Sequence, residues 1–244
     1  LKIMSSSRKI KEFNYNDIPI GYYDQIFKKK IGIQSAWHNI KFKYVKNEIN
    51  KKNIHLDIGC GPGTFLGLLK NKRCYGVDIS GKQIKYAKKK YSNKSKRFEI
   101  MKKNKIPLKS KSLNSISLIE IIEHLNDRDT KLLILEAHRT LKKNGELIIT
   151  TPNYLSTWPI LELVLNNFTK VSYEDQHINK YNIFKIKKIV KKNKFKIESL
   201  KTFMLISPFF AFFSFGLSLK MSIVDNFLVK ILPGNLLFLK LKKL

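Results

Sequence analysis

Between Asn53 and Leu66 the chain reads NIHLDIGCGPGTFL. Gly59, Gly61 and Gly63 stand at alternate positions, with Cys60 between the first two and an acid, Asp57, two residues before them. Glycines at a strand-to-helix turn let the backbone bend sharply and let a ligand come close to it. The order is G-x-G-x-G behind an acid, not the G-x-G-x-x-G that seats a pyrophosphate on a helix N-terminus. Asp57 disfavours a pyrophosphate and favours a ligand that carries a cation. A second acid, Asp78, closes the next apolar run, with Ile79 after it. It lies about 20 residues downstream, where a carboxylate can accept both ribose hydroxyls. The ligand so described has a ribose and a cationic amine and no phosphate.

A second group follows in EIIEHL, where Glu120, Glu123 and His124 are spaced i, i+3, i+4. On a helical turn these three project from one face. Two carboxylates and an imidazole can hold a divalent cation, with positions left open for acceptor oxygens. The alternative is that Glu120 contacts the cofactor and His124 acts alone as a base. His177, in a later polar loop, is a further candidate, so the catalytic set is His124, Glu123 and His177.

These residues need strands that end where they stand. Ile54, Leu56 and Ile58 are the apolar positions of a first strand, and Thr64 can cap the helix after the glycine turn. Cys74–Ile79 is a second strand, and Ser80 can cap the helix that runs to Tyr91. Arg97–Met101 and Ser115–Ile119 read as the third and fourth strands. Asp129 or Thr130 opens a helix that Asn144-Gly145 ends, and Glu146–Thr151 is the fifth strand. Leu155–Phe168 is an apolar segment, helical past Pro159, followed by a polar loop over Val171–Tyr181 and a basic amphipathic helix from Ile183 to Lys192. Phe195–Phe203 and Asn235–Leu241 are the last two strands. Ahead of the glycine turn, helical patterns begin at Gly21 and carry Tyr23, His38 and Lys41, which can face the site.

With LDIGCGPGTFL and YGVDIS in place, the chain resembles the class I S-adenosylmethionine-dependent methyltransferases, whose first and second motifs these are similar to. A ribose, a cationic amine and no phosphate also describe S-adenosylmethionine. The resemblance covers about Asn53 to Pro152 well and the flanks more loosely. It implies an α/β, Rossmann-like, seven-stranded and mostly parallel sheet of order 3-2-1-4-5-7-6 with an antiparallel last strand. It implies cofactor contacts from Asp57, Gly59, Cys60, Gly61, Gly63, Asp78, Ile79, Asn104 and Glu120. EIIEHL is similar to the metal-dependent O-methyltransferases of quinone biosynthesis and to the small-RNA 3′-end 2′-O-methyltransferases. Both imply a Mg²⁺-like ion on Glu120, Glu123 and His124, and the RNA group implies His177 as a further ligand. The chain departs from the family at Lys102 and Asn114, where acids are usual; Asn104 is the nearest polar substitute beside the adenine.

The expected organisation is a flexible segment over 1–20 and one methyltransferase domain over 21–244. Its parts are a helical cap (21–52), a cofactor-binding core (53–151), acceptor-side loops and a helix (152–203), an apolar insert (204–234), and a last strand with a basic tail (235–244). The net charge is +30, from 48 Lys+Arg against 18 Asp+Glu. That invites nucleic acid or an anionic membrane, although Lys is spread along the whole chain and Arg is scarce. Cys60 and Cys74 sit in the turn and in a strand, so a reducing cytoplasm fits better than a disulfide framework. Thr202–Leu219 carries no charge, and five phenylalanines, Phe209, Phe210, Phe212, Phe213 and Phe215, crowd together in it. The insert must leave and return to one end of the sheet within fewer residues than the ~40 of two spans. It is therefore expected to be a lid, a dimer surface or a shallow membrane contact. Three functions follow: O-methylation of a small or lipid-linked acceptor, metal-assisted RNA 2′-O-methylation, and cofactor binding without turnover.

Overall fold

The computed structural model describes residues 17–49, 54–70, 73–168, 176–191 and 194–244. The expected flexible segment falls mostly outside this set, as do the start of the first strand at Asn53 and the loop residues Val171–Asp175. Strands β1 (His55–Ile58), β2 (Cys74–Asp78), β3 (Lys96–Ile100), β4 (Leu113–Ile119), β5 (Leu141–Pro152), β6 (Phe195–Phe203) and β7 (Leu236–Lys243) form one sheet of order β3-β2-β1-β4-β5-β7-β6. β7 runs antiparallel to both β5 and β6, and the other pairings are parallel. β1 is buried along its whole length, as a central parallel strand covered on both faces must be. The helices are α1 (Tyr22–Lys29), α2 (Gly32–Glu48), α3 (Thr64–Leu68), α4 (Gly81–Tyr91), α5 (Asp127–Thr140), α6 (Trp158–Phe168), α7 (Ile183–Lys191), α8 (Ser207–Phe210) and α9 (Phe215–Leu228). One core holds α2, α6 and α8 residues with Phe203 and Phe238, and the other holds α5 and α7 residues with Leu237 and Leu239. Alternation along β7 thus feeds both faces of the sheet.

Helix ends differ from the sequence reading. Gly63, not Thr64, precedes α3, and the Thr64 hydroxyl donates to Asp24 at 3.0 Å instead of capping. Ser80 stands at the cap of α4, but its side chain makes no capping bond. Asn126 caps α5 by accepting from Asp129 N at 2.8 Å, so the helix starts earlier than Asp129 or Thr130. It also ends earlier, at Thr140, because Leu141 pairs with Leu113 and Asn144-Gly145 falls inside β5. Between β4 and α5 the chain makes only a short 3₁₀ turn, Ile122–His124.

The cap formed by α1 and α2 is tied down through one carboxylate. Asp24 is fully buried in α1. It accepts from Thr64 Oγ1 at 3.0 Å and Tyr86 Oη at 2.9 Å, and also from Tyr91 and Lys90. Lys28 lies 3.2 Å away. Burial pushes the Asp24 pKa up, but the donors from Lys90, Tyr91, Tyr86 and Lys28 together outweigh it and hold the carboxyl down at about 2. A depressed carboxylate stabilises the fold fully above its unfolded pKa of 3.8 and loses that contribution as pH falls towards 2. Asp24→Ala is expected to lower unfolding free energy by about 3 kcal/mol at pH 7, since it strands buried donors and a lysine. The deficit of Asp24→Asn should shrink below pH 4. Urea unfolding at pH 7 and pH 3 reads both, and equal stability of wild type and Asp24→Ala at pH 7 would contradict the assignment.

Candidate active site

The strand order reverses between β1 and β4, and open α/β sheets bind ligands at such a point, beyond the carboxyl ends of the strands. A cavity of about 170 Å³ lies there. Its floor is the glycine turn. The N–H groups of Gly59 and Cys60 both donate to Val77 O, at 2.8 and 3.1 Å, which ties the turn to β2. Gly59 has φ +71°, and a Cβ there would sit 2.1 Å from Ile121 Cδ1. Gly61 has φ +49° with nothing within 4 Å of where its Cβ would be, so its backbone faces open cavity. Gly63 does not line the cavity; it makes room for Phe98 and Ala87.

Two acids flank this floor. Asp78 Oδ2 accepts from Gly61 N and Oδ1 from Ser80 N, both at 2.8 Å, so its carboxylate is fixed before any ligand arrives. Burial raises its pKa against those N–H bonds. Asp57 Oδ1 accepts from the Ser117 hydroxyl at 2.5 Å. The ring nitrogens of His55 meet Ser117 Oγ at 3.0 Å and Ser115 Oγ at 2.9 Å, so a buried polar row links β1 and β4 beneath the turn. Burial first, then the neighbouring Asp78 charge, lift the Asp57 pKa to about 7 against the Ser117 bond and Lys41.

The opposite wall carries the acceptor-side candidates. Glu120 adopts φ +55°, which breaks the helical continuation assumed for EIIEHL. Its carboxylate consequently turns to α2, accepting from Trp37 Nε1 at 2.6 Å and from Lys41. Glu120, Glu123 and His124 thus do not share one helical face. The cluster that does form is Glu123, His124 and His177, with one ligand-capable atom from each within 4.8 Å of the others. Glu123 is fully buried, and neither carboxylate oxygen has a hydrogen-bond partner among the described residues. Burial and then the Glu120 charge hold its pKa well above the ordinary value, against the pull of its own backbone N–H, the nearby Thr151 hydroxyl and Lys41. His124 Nδ1 lies 3.0 Å from Gln176 O, and burial followed by His177 depresses its pKa to about 3. His177 Nδ1 lies 2.6 Å from Glu162 Oε1 and 2.9 Å from Tyr154 Oη.

Tyr23, His38 and Lys41 line the cavity, as their places in the cap allowed. Ile79 is exposed and outside the lining. Asn104 also lies away from it: its amide donates to Asp129 at 2.9 Å, and it lines a separate basic cleft with Lys102, Lys103 and Arg139. The adenine-side role expected for Asn104 therefore has no geometric support. Trp37, Ser117, Glu162 and Gln176 reach the site group without any motif to mark them, because each meets its partner far along the chain.

Residues 38–200 match the model of a methyltransferase domain. The chain belongs to the class I S-adenosylmethionine-dependent methyltransferases. An uncharacterized Methanocaldococcus jannaschii protein is 29% identical over 223 residues, 86% of this chain and 83% of the relative. A Mycobacterium tuberculosis protein named "Probable S-adenosylmethionine-dependent methyltransferase" is 24% identical over 145 residues, 57% of this chain and 50% of its own length. Among solved structures, a Thermotoga maritima S-adenosylmethionine-dependent methyltransferase superposes with TM-score 0.64 at 19% identity, covering 91% of this chain and 94% of that one. Geranyl diphosphate C-methyltransferase of Streptomyces coelicolor superposes with TM-score 0.62 at 11% identity, covering 93% and 85%. At these identities the structures share the fold. The open backbone at Gly61, the prefixed Asp78 and the buried Asp57 fit a cofactor with a ribose and a cationic amine.

A cationic cofactor favours ionised Asp57, which protonates below about pH 7 in the free protein. The dissociation constant for S-adenosylmethionine is therefore expected to rise by about tenfold per pH unit between pH 7 and pH 5, and Asp57→Asn should flatten that slope. Titration calorimetry reads it, and a constant affinity across this range would contradict the reading.

Proposed function

We propose that this methyltransferase moves the sulfonium methyl to an oxygen of a small or lipid-linked acceptor, and that Glu123, His124 and His177 hold that oxygen. The observation that carries the reading is the buried Glu123 carboxylate, with neither oxygen hydrogen-bonded among the described residues, beside two imidazoles at the cavity wall. S-adenosylmethionine supplies the activated methyl when bound, so the protein's part is alignment, exclusion of water and removal of the acceptor proton. Asp57 takes the cofactor's amine and Asp78 its ribose, in this reading. Glu123, with its raised pKa, is the stronger proton acceptor once ionised. His124 stays neutral and orients the hydroxyl through its lone pair, and Glu162 and Tyr154 fix the His177 ring.

The donor set also bears on a metal. Two imidazoles and one carboxylate suit Mn²⁺ or Zn²⁺ better than Mg²⁺, which prefers oxygen ligands. An ion on Glu123, His124 and His177 would polarise the acceptor hydroxyl in place of a general base. Glu120, engaged by Lys41 and Trp37, is not a ligand in this version.

Incubation with methyl-labelled S-adenosylmethionine and an extract of source cells, with Mn²⁺ or with chelator, tests the acceptor class. Label in the organic phase is expected; label in nuclease-sensitive material would instead support RNA methylation, and cofactor binding with no product would support a non-transferase. On whichever product forms, Glu123→Gln and His177→Ala should cut turnover by about 10²-fold or more while cofactor affinity stays within about threefold of wild type. Unchanged turnover in both variants would remove the cluster from the chemistry.

A further inference from the structure

Helix α9 is inverted. Its polar residues Ser218 and Asp225, seven apart, face inward and are buried. Ser218 Oγ donates to Ser207 O at 2.6 Å, and the Asp225 carboxylate accepts from Ile206 N at 2.9 Å and Ser207 N at 3.2 Å. The outward side carries Leu217, Lys220, Ile223, Val224, Asn226 and Phe227, apolar apart from the lysine and the asparagine. The turns at both ends continue it: Phe213 is 82% exposed before the helix and Ile231 84% exposed after it. Two polar groups are thus spent on fastening the helix to the domain, while Leu217, Ile223, Val224 and Phe227 are left outside. A water-facing helix has the opposite distribution, and an exposed apolar surface of this kind marks a contact site.

Charge decides what contacts it. Asp225 is the one acid between Phe203 and Leu244, and it is buried against backbone N–H groups. The exposed charges on that side and its end are Lys220 and Lys230. A two-fold dimer through this face would set like lysines against each other, because such an interface is self-complementary. An anionic bilayer accepts both features, phenyl and aliphatic groups in the acyl boundary and lysines at the headgroups. No helix among the described residues is long and apolar enough to cross a membrane. We propose that α9 and its flanking turns seat this protein on the surface of an anionic lipid bilayer. α6 and α8 belong to the same core as α2, with α9 residues Phe215 and Leu219 packed on it, and Trp158 at the start of α6 lines the cavity. α9 thus packs on the same core as α2 and α6, two helices that line the cavity. The further consequence, that the acceptor is drawn from the bilayer, rests on the lipid-linked acceptor reading above.

The full chain should be floated with vesicles of phosphatidylcholine alone and of phosphatidylcholine with 30 mol% phosphatidylglycerol, about a third anionic lipid. Binding to the anionic vesicles is expected, weakened by salt. Phe213→Ser with Phe227→Ser should weaken it at least tenfold, and Lys220→Glu with Lys230→Glu should abolish the preference for anionic lipid. These side chains are exposed, so thermal unfolding and cofactor affinity in solution should stay at wild-type values; that second readout separates a failed docking face from a failed cofactor site. No binding to anionic vesicles, or binding that the phenylalanine pair does not affect, would overturn the proposal. A dimer in sedimentation that the same pair dissolves would overturn it in favour of a second copy.

Discussion

Four carboxylates converge on the carboxyl ends of β1, β2 and β4, in a protein whose net charge is +30. Asp57, Asp78, Glu120 and Glu123 all line one cavity, and Lys41 is the one lysine or arginine among the described residues lining it. Buried charge of one sign is costly unless something compensates it. The carboxylates meet that cost in more than one way. Glu120 recruits Lys41 and Trp37, Asp78 recruits backbone N–H groups, and Asp57 and Glu123 have their pKa values raised. A positively charged ligand relieves what remains, and that constraint explains the cavity better than its shape does.

The rest of the molecule serves to keep those groups in place. The left-handed turn at Glu120 points its carboxylate at α2, so the same residue that ends β4 also latches the cap over the cavity. Asp24 fastens that cap to α3 and α4 from the other side. Two carboxylates thus hold the cap, one at the cavity wall and one buried behind it. Cap position and cavity charge are therefore coupled: a change at Glu120 alters both.

The strands and the glycine turn were legible because they depend on local signals: period-two apolar strands, glycines at fixed spacing, and an acid at the end of each of two strands; the sheet order came only from the family resemblance that those motifs carry. What was illegible depends on single dihedrals and distant partners. Reading Glu120 as a helical neighbour of Glu123 failed on one positive φ. Thr64 resembled a cap because its true partner, Asp24, lies 40 residues earlier. Asn104 was the nearest polar substitute for the family acid whose place Lys102 takes, yet the turn around it delivers its amide to Asp129. The apolar character of the insert was plain, but which face of α9 would be buried was not, since hydropathy alone predicts the reverse of what Ser218 and Asp225 do.

Proton release on cofactor binding tests the central electrostatic claim most directly. Calorimetry of S-adenosylmethionine binding at pH 6.5, in buffers of different ionisation enthalpy, gives the number of protons exchanged. With the Asp57 pKa at about 7 in the free protein, roughly three quarters of a proton should leave as the carboxyl ionises beneath a cation, and Asp57→Asn should remove most of that release. Binding with no net proton exchange, or with uptake, would show that the buried carboxylates do not answer to the cofactor's charge.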